Sequence, residues 1–355
     1  MASCGGGSPT VPVSHCGESG VICTVIGNGR SAFEGEGAPA LETSLYFPLD
    51  VKLDPQGRAV VIDWNNQRLR RLDADGHLRT IMGTGLEGQV QDGAPGLQTP
   101  MHHTYSLCFD GAGNIYLAGN HQPRVLQLDT RDLVHIVAGS GGTGFAGDGV
   151  DAHQAEFRAP CGVAVAPAGR PIFVGDTGNE RIRRIDAAGI VTTLAGSDSG
   201  YAGDGGPAAG AKFRDPYRVR YDASTGDLYV CDTGNHAIRR IDAGGTITTV
   251  AGTGQPGHSG DGGPAAQAQL FVPQDVAIAP GGALYIADTG NHRIRRIDAG
   301  GTITTVAGTG TAGFSGDGAA ATQAQLDSPA SVTLDPHGNL WIADSYNHRI
   351  RVVWK

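Results

Sequence analysis

Side chains able to bind or transform a ligand gather in three short segments spaced about 56 residues apart: His102, His103 and Tyr105, then Arg158 and Cys161, then Arg214, Asp215, Tyr217 and Arg218. Guanidinium forks pair with carboxylates, a phenol joins apolar area to a hydroxyl, and an imidazole passes protons near neutral pH. This mixture suits an anionic or polar ligand. If chemistry follows binding, His103, Tyr105, Cys161 and Tyr217 are the candidate catalytic groups. A second group, Tyr46, Trp64 and Tyr346, offers aromatic faces for a peptide or a sugar. The alternative is that it covers a joint in the fold.

What must position these residues is a repeat. Val61-Ile62-Asp63, Leu117-Ala118-Gly119, Val174-Gly175-Asp176, Val230-Cys231-Asp232, Ile286-Ala287-Asp288 and Ile342-Ala343-Asp344 form one column, at spacings of 56, 57, 56, 56 and 56 residues. Glu36, Asp92, Asp148, Asp204, Asp261 and Asp317 form a second, and Leu45, Met101, Phe157, Phe213, Leu270 and Leu326 a third. Each unit reads as four short strands separated by Gly, Asn, Asp or Pro. The chain ends after a third strand, and residues 21–26 resemble the missing fourth. The expected fold is therefore all-β: a six-bladed propeller of four-stranded blades over residues 21–355, closed by an N-terminal strand that completes the last blade.

The phrase from Ala287 to Arg295, ADTGNHRIR, and its near copies starting at Asp176, Asp232 and Asp344, resembles the NHL repeat family. That resemblance implies a propeller. It leaves the activity open, because NHL-like propellers include protein- and RNA-binding modules, extracellular sensors and a peptide-amidating lyase. The lyase uses zinc-bound histidines from several blades. Here the segments approaching the inner strands supply histidine only as His102 and His103, so that triad does not carry over.

Residues present in most blades should build blades. The Asp63, Asp176, Asp232, Asp288 and Asp344 column is expected to cap turns and to pair with arginines, and the acids of the GDG column to cap loops rather than hold calcium. His236, His292 and His348 are expected to be turn residues, too far apart on a sixfold ring to share one ion. The GxGxxG matches at Gly83, Gly252 and Gly308 open no helix, and no GxSxG elbow occurs. No metal and no cofactor is expected.

Blade 2 breaks the pattern most. Thr104 stands where other blades have Pro, Gly119 where they have Asp, and Pro123 where they have a turn residue. The functional residues of blades 2 to 4 are therefore expected at one side of the channel mouth. A drifted blade with ion pairs filling the channel would leave the same trace.

Fifty-seven glycines and 19 prolines fit a turn-rich fold, and the 39% apolar content supplies a core. The net charge of −9, without a basic cluster, argues against nucleic acid, and no apolar run reaches 18 residues. Residues 1–20 read as a flexible tail whose Cys4-Gly-Gly-Gly resembles a bacterial lipoprotein start. Cys16 and Cys23 are close enough for a local disulfide in an oxidising compartment, whereas Cys108, Cys161 and Cys231 read as buried thiols. The expectation is a monomeric, secreted, periplasmic or lipid-anchored propeller that binds a peptide, glycan or small molecule at its mouth. The alternative is a lyase or hydrolase working at the same mouth.

Overall fold

The computed structural model describes residues 15–355, so Cys4 and its neighbours lie outside the described residues. Blade 5 shows the unit: Asp275–Ile278, Leu284–Asp288, Arg293–Ile297 and Ile303–Ala307 pair antiparallel in chain order. The inner strands of the other blades are Pro48–Leu53, Thr104–Phe109, Pro160–Val165, Pro216–Tyr221 and Pro329–Leu334. Six sheets result, two of them carrying a short extra edge strand. Among the described residues the helices are all short 3-10 turns, and none is long and apolar enough to cross a membrane.

Closure is as the sequence predicts. Val21–Ile26 pairs with Arg349–Val353, with Ile22 opposite Val353 and Thr24 opposite Arg351, and so supplies the outer strand of blade 6. Its far edge meets Ala319–Ala320, which leaves little unpaired backbone at the joint. Cys16 and Cys23 are disulfide-bonded, pinning the turn before this strand to it.

Packing follows the repeat. Six apolar clusters lie between adjacent blades, and each receives one member of the third column: Leu45, Met101, Phe157, Phe213, Leu270 or Leu326, none more than 2% exposed. A glycine follows each outer strand (Gly27, Gly83, Gly139, Gly196, Gly252, Gly308) with φ between 92° and 104°. A Cβ there would run into the backbone oxygen of the residue just before the third strand, so only glycine fits.

Candidate functional site

The face toward which the second strands run carries both the turns into the third strands and the segments approaching the inner strands, and most of its polar groups are consumed by construction. Each column aspartate accepts a backbone N–H from the segment beside it at 2.7–2.8 Å and an Asn side-chain N–H at 2.8–3.0 Å. A fully buried arginine (Arg70, Arg183, Arg239, Arg295 or Arg351) then bridges that aspartate to the second-column acid, Glu36, Asp148, Asp204, Asp261 or Asp317. Burial pushes Asp63, Asp176, Asp232, Asp288 and Asp344 up to about 6, against the pull of these donors. His236, His292 and His348 sit at left-handed turn positions, and their Nδ1 atoms accept the N–H of Val272, Ser328 and Phe47 from the next blade at 3.0–3.2 Å. These three histidines are inter-blade ties, in agreement with their reading as turn residues.

Blade 2 drops the buried aspartate and arginine together and keeps the outer acid, Asp92, which accepts the Ile136 N–H at 2.7 Å. Gly119 replaces the aspartate and Leu126 the buried arginine, so neither charge is left unpaired. Losing both partners of a buried pair costs little, whereas losing one costs several kcal/mol. In blades 3, 4 and 5 a glycine of the turn, Gly178, Gly234 or Gly290, lets the side chain of Arg158, Arg214 or Phe271 lie across it, where a Cβ would come within 2.5–2.7 Å. Blade 2 has His121 at that place. His102 therefore cannot lie there, and its Nε2 instead meets the backbone of Gly88.

The channel interior is filled by charge. Lys52 Nζ lies 2.9 Å from both Asp50 and Asp275, Arg220 lies 2.8 Å from Asp275, and the Ser331 hydroxyl joins the two carboxylates at 2.6 and 2.9 Å. Burial opposes ionisation of Asp50 and Asp275, but the surrounding Lys52, Arg218 and Arg220 outweigh it and hold both carboxyls below the usual range. Arg218, expected at the mouth, belongs to this plug. It is fully buried, and its guanidinium donates to the carbonyls of Leu49 and Tyr105 at 2.8 and 2.7 Å and to that of Ala330, tying blades 1, 2 and 6 to blade 4. The strand pairing shifts register between Pro216 and Val219, and at this irregularity the Tyr217 ring lines the mouth while the Arg218 guanidinium reaches the carbonyls beneath it.

Above the carbonyls held by Arg218 opens a cavity of about 360 Å³ whose walls include Phe47, Trp64, Tyr105, Tyr217 and Tyr346. The rings form a chain: Tyr346 against Phe47 at 4.7 Å, Phe47 against Trp64 at 5.9 Å, Trp64 against Tyr105 at 5.6 Å and Tyr105 against Tyr217 at 5.9 Å. Tyr105 and Tyr217 from one expected patch and Trp64 and Tyr346 from the other thus share one cavity, across the ring axis. Polar walls come from Gln274, Thr289 and Ser328, and the buried indole N–H of Trp64 has no partner among the described residues.

The other expected residues are dispersed. Arg158, Arg214 and Asp215 are exposed on the rim of blades 3 and 4, outside the cavity walls. Tyr46 is also exposed, with its ring edge against His348 at 5.8 Å. Cys161 is 3% exposed, donates to Ala159 O, and is pushed by burial up to about 12, so it stays a thiol and not a nucleophilic thiolate. Burial likewise raises Tyr105 and Tyr217, which remain neutral phenols. His103 touches Trp64 at 4.5 Å and places its Nδ1 3.0 Å from that of His121. Burial, with the neighbouring His121, lowers its pKa. His121 and the nearby Glu87 went unnoticed in the sequence, although each departs from its repeat column.

A repeat propeller with an aromatic mouth above a charge-filled channel is the class that fold and site define. The chain belongs to the teneurin NHL-domain family: the Teneurin NHL domain matches residues 19–201 and 253–313, and NHL repeats match 213–241 and 326–353. It is similar to Teneurin-1 of Mus musculus, with 28% identity over 381 aligned residues that cover 94% of this chain and 13% of that protein. The chain thus spans a small part of the length of such relatives. Among solved structures, an auxiliary nutrient binding protein from Bacteroides ovatus has a TM-score of 0.69 at 16% identity, covering 94% of this chain and 76% of the other. A Streptogramin B lyase has a TM-score of 0.54 at 15% identity, covering 88% and 94%. At such identities the likeness speaks for the fold alone.

Proposed function

We propose that this propeller is a recognition module of an extracellular or cell-surface protein and binds a compact ligand with ring or apolar faces, a glycan, a peptide side chain or a similar small molecule, in its aromatic mouth. The observation that carries the reading is the continuous chain of Phe47, Trp64, Tyr105, Tyr217 and Tyr346 around a cavity of about 360 Å³, with few polar walls and an unpartnered indole N–H. That volume lies in the range of small-molecule pockets, which combine apolar walls with a few polar groups. The Cys16–Cys23 disulfide supports an oxidising compartment. Nucleophilic or base catalysis by Cys161, Tyr105 or Tyr217 has less support, because burial holds all three protonated.

The test is a glycan, peptide and metabolite screen by thermal shift, with hits titrated calorimetrically. Truncating an aromatic anchor at the centre of a site costs about 2 kcal/mol or more, so Trp64→Ala should weaken a true hit about 30-fold. Tyr217→Phe, which keeps the ring and removes a hydroxyl, should cost less. A hit that both variants bind as tightly as the parent chain would place recognition elsewhere.

A further inference from the structure

We propose that Glu87, His103 and His121 form a binding site for a divalent transition metal, zinc above all, at the junction of blades 1 and 2. One ligand atom from each residue falls within a single 4.8 Å group. The two Nδ1 atoms face each other at 3.0 Å, with ring centroids 4.2 Å apart and planes at 54°. Zinc holds imidazole nitrogen at about 2.0–2.1 Å, so two nitrogens on a tetrahedral ion stand about 3.3–3.4 Å apart. Opening the present pair by a few tenths of an ångström admits the ion, with the Glu87 carboxylate as third ligand. Two imidazoles and one carboxylate form a borderline donor set suited to zinc, and the fourth position stays open for water or a ligand atom.

The residues bear the marks of a local departure from blade-building. At the His103 position the other blades carry Phe47, Ala159, Asp215, Val272 and Ser328. Opposite His121 stand Asn65, Gly178, Gly234, Gly290 and Tyr346, and opposite Glu87 stand Ser31, Thr143, Ser199, Pro256 and Ala312. The Nδ1 atoms of His236, His292 and His348 are used by backbone N–H groups, whereas those of His103 and His121 meet only each other among the described residues. Trp64 backs the His103 ring at 4.5 Å and limits its rotation. The cluster is made by residues that do not recur from blade to blade, so no repeat column marks it. This inference does not rest on the aromatic mouth binding a ligand.

The experiment uses the untagged full chain, stripped with EDTA, and titrates Zn²⁺ calorimetrically and Co²⁺ by visible absorption. The expected result is one equivalent of zinc, a rise in melting temperature on adding it, and the visible bands of low-coordinate cobalt. His121→Gly is the informative variant, because it installs the residue that three other blades carry at this turn and so preserves the fold. Losing even a group that merely supports a metal ligand costs 10–100-fold in affinity, so losing a ligand should cost at least about 100-fold and abolish the cobalt spectrum. Glu87→Gln should weaken zinc by at least about tenfold. Failure of the parent chain to bind zinc at micromolar concentrations, or zinc binding by His121→Gly equal to the parent's, would overturn the assignment.

Discussion

Replacing Asp275 with Asn changes the shape of the channel plug little and its charge decisively. Asp275 is fully buried and accepts from Lys52 at 2.9 Å, Arg220 at 2.8 Å, the Ser331 hydroxyl at 2.9 Å and the Val332 N–H at 3.1 Å. Without its charge, Lys52, Arg218 and Arg220 share the plug with Asp50 as the one acid paired with them among the described residues. Removing one partner of a buried ion pair typically costs about 3–5 kcal/mol, because the other charge stays desolvated and uncompensated. An unfolding entropy of about 2.1 cal/mol/K per residue gives roughly 0.75 kcal/mol/K for 355 residues, so the melting temperature should fall by about 4–7 °C. Scanning calorimetry reads this directly. Asp75→Asn is the comparison: that carboxylate pairs with Arg79 at 2.7 Å but is about half exposed, and solvent screening should hold its effect to about a degree or less. Adding Lys52→Met to Asp275→Asn restores the balance of charge and should recover part of the loss. An Asp275→Asn protein melting within a degree of the parent would refute the view that the plug binds the blades together.

Two further perturbations probe the repeat and its closure. Burial raises Asp288 from 3.8 to about 6 in the folded chain, so the native state keeps a proton that the unfolded state releases, and the resulting stabilisation is lost as pH rises through 6. From pH 5 to 7.5 the parent's stability relative to Asp288→Asn should therefore fall by about 1.4 kcal/mol, roughly 2 °C in melting temperature; an advantage that grows with pH would show that Arg295 keeps this carboxylate ionised. Deleting residues 1–27 removes the strand that completes blade 6 and should lower the melting temperature sharply or cause aggregation, while deleting residues 1–15 should change little. Equal stability of the two truncations, measured by thermal unfolding, would contradict the closure.

The blades were legible in the sequence because blade-building is local and repeated. An aspartate that caps a turn and an asparagine three residues later meet the same partners in five blades, and a histidine accepting from the next blade does so in three, so their spacing alone exposed them. Position along the chain also identified blade 2 as the irregular unit and placed Tyr105, Tyr217, Trp64 and Tyr346 on the face that bears the mouth. It did not separate neighbours on one strand. Tyr217 and Arg218 stood side by side as mouth residues, yet one lines the cavity and the other seals the channel below it.

The sequence by itself therefore determined the number of blades, their strand order, the joint that closes the ring and the column of turn-capping acids. Tertiary structure alone decided which non-repeating side chains meet. Arg218 reaches Leu49 across 169 positions of sequence, and Ser331 reaches Asp50 across 281. His121 meets His103 because a turn of blade 2 folds back over the segment approaching its inner strand. The physical reason is that a repeat fixes each residue's place within its blade, whereas contacts across the axis depend on how the closed ring orients several inner strands at once and on which face of its strand each side chain leaves.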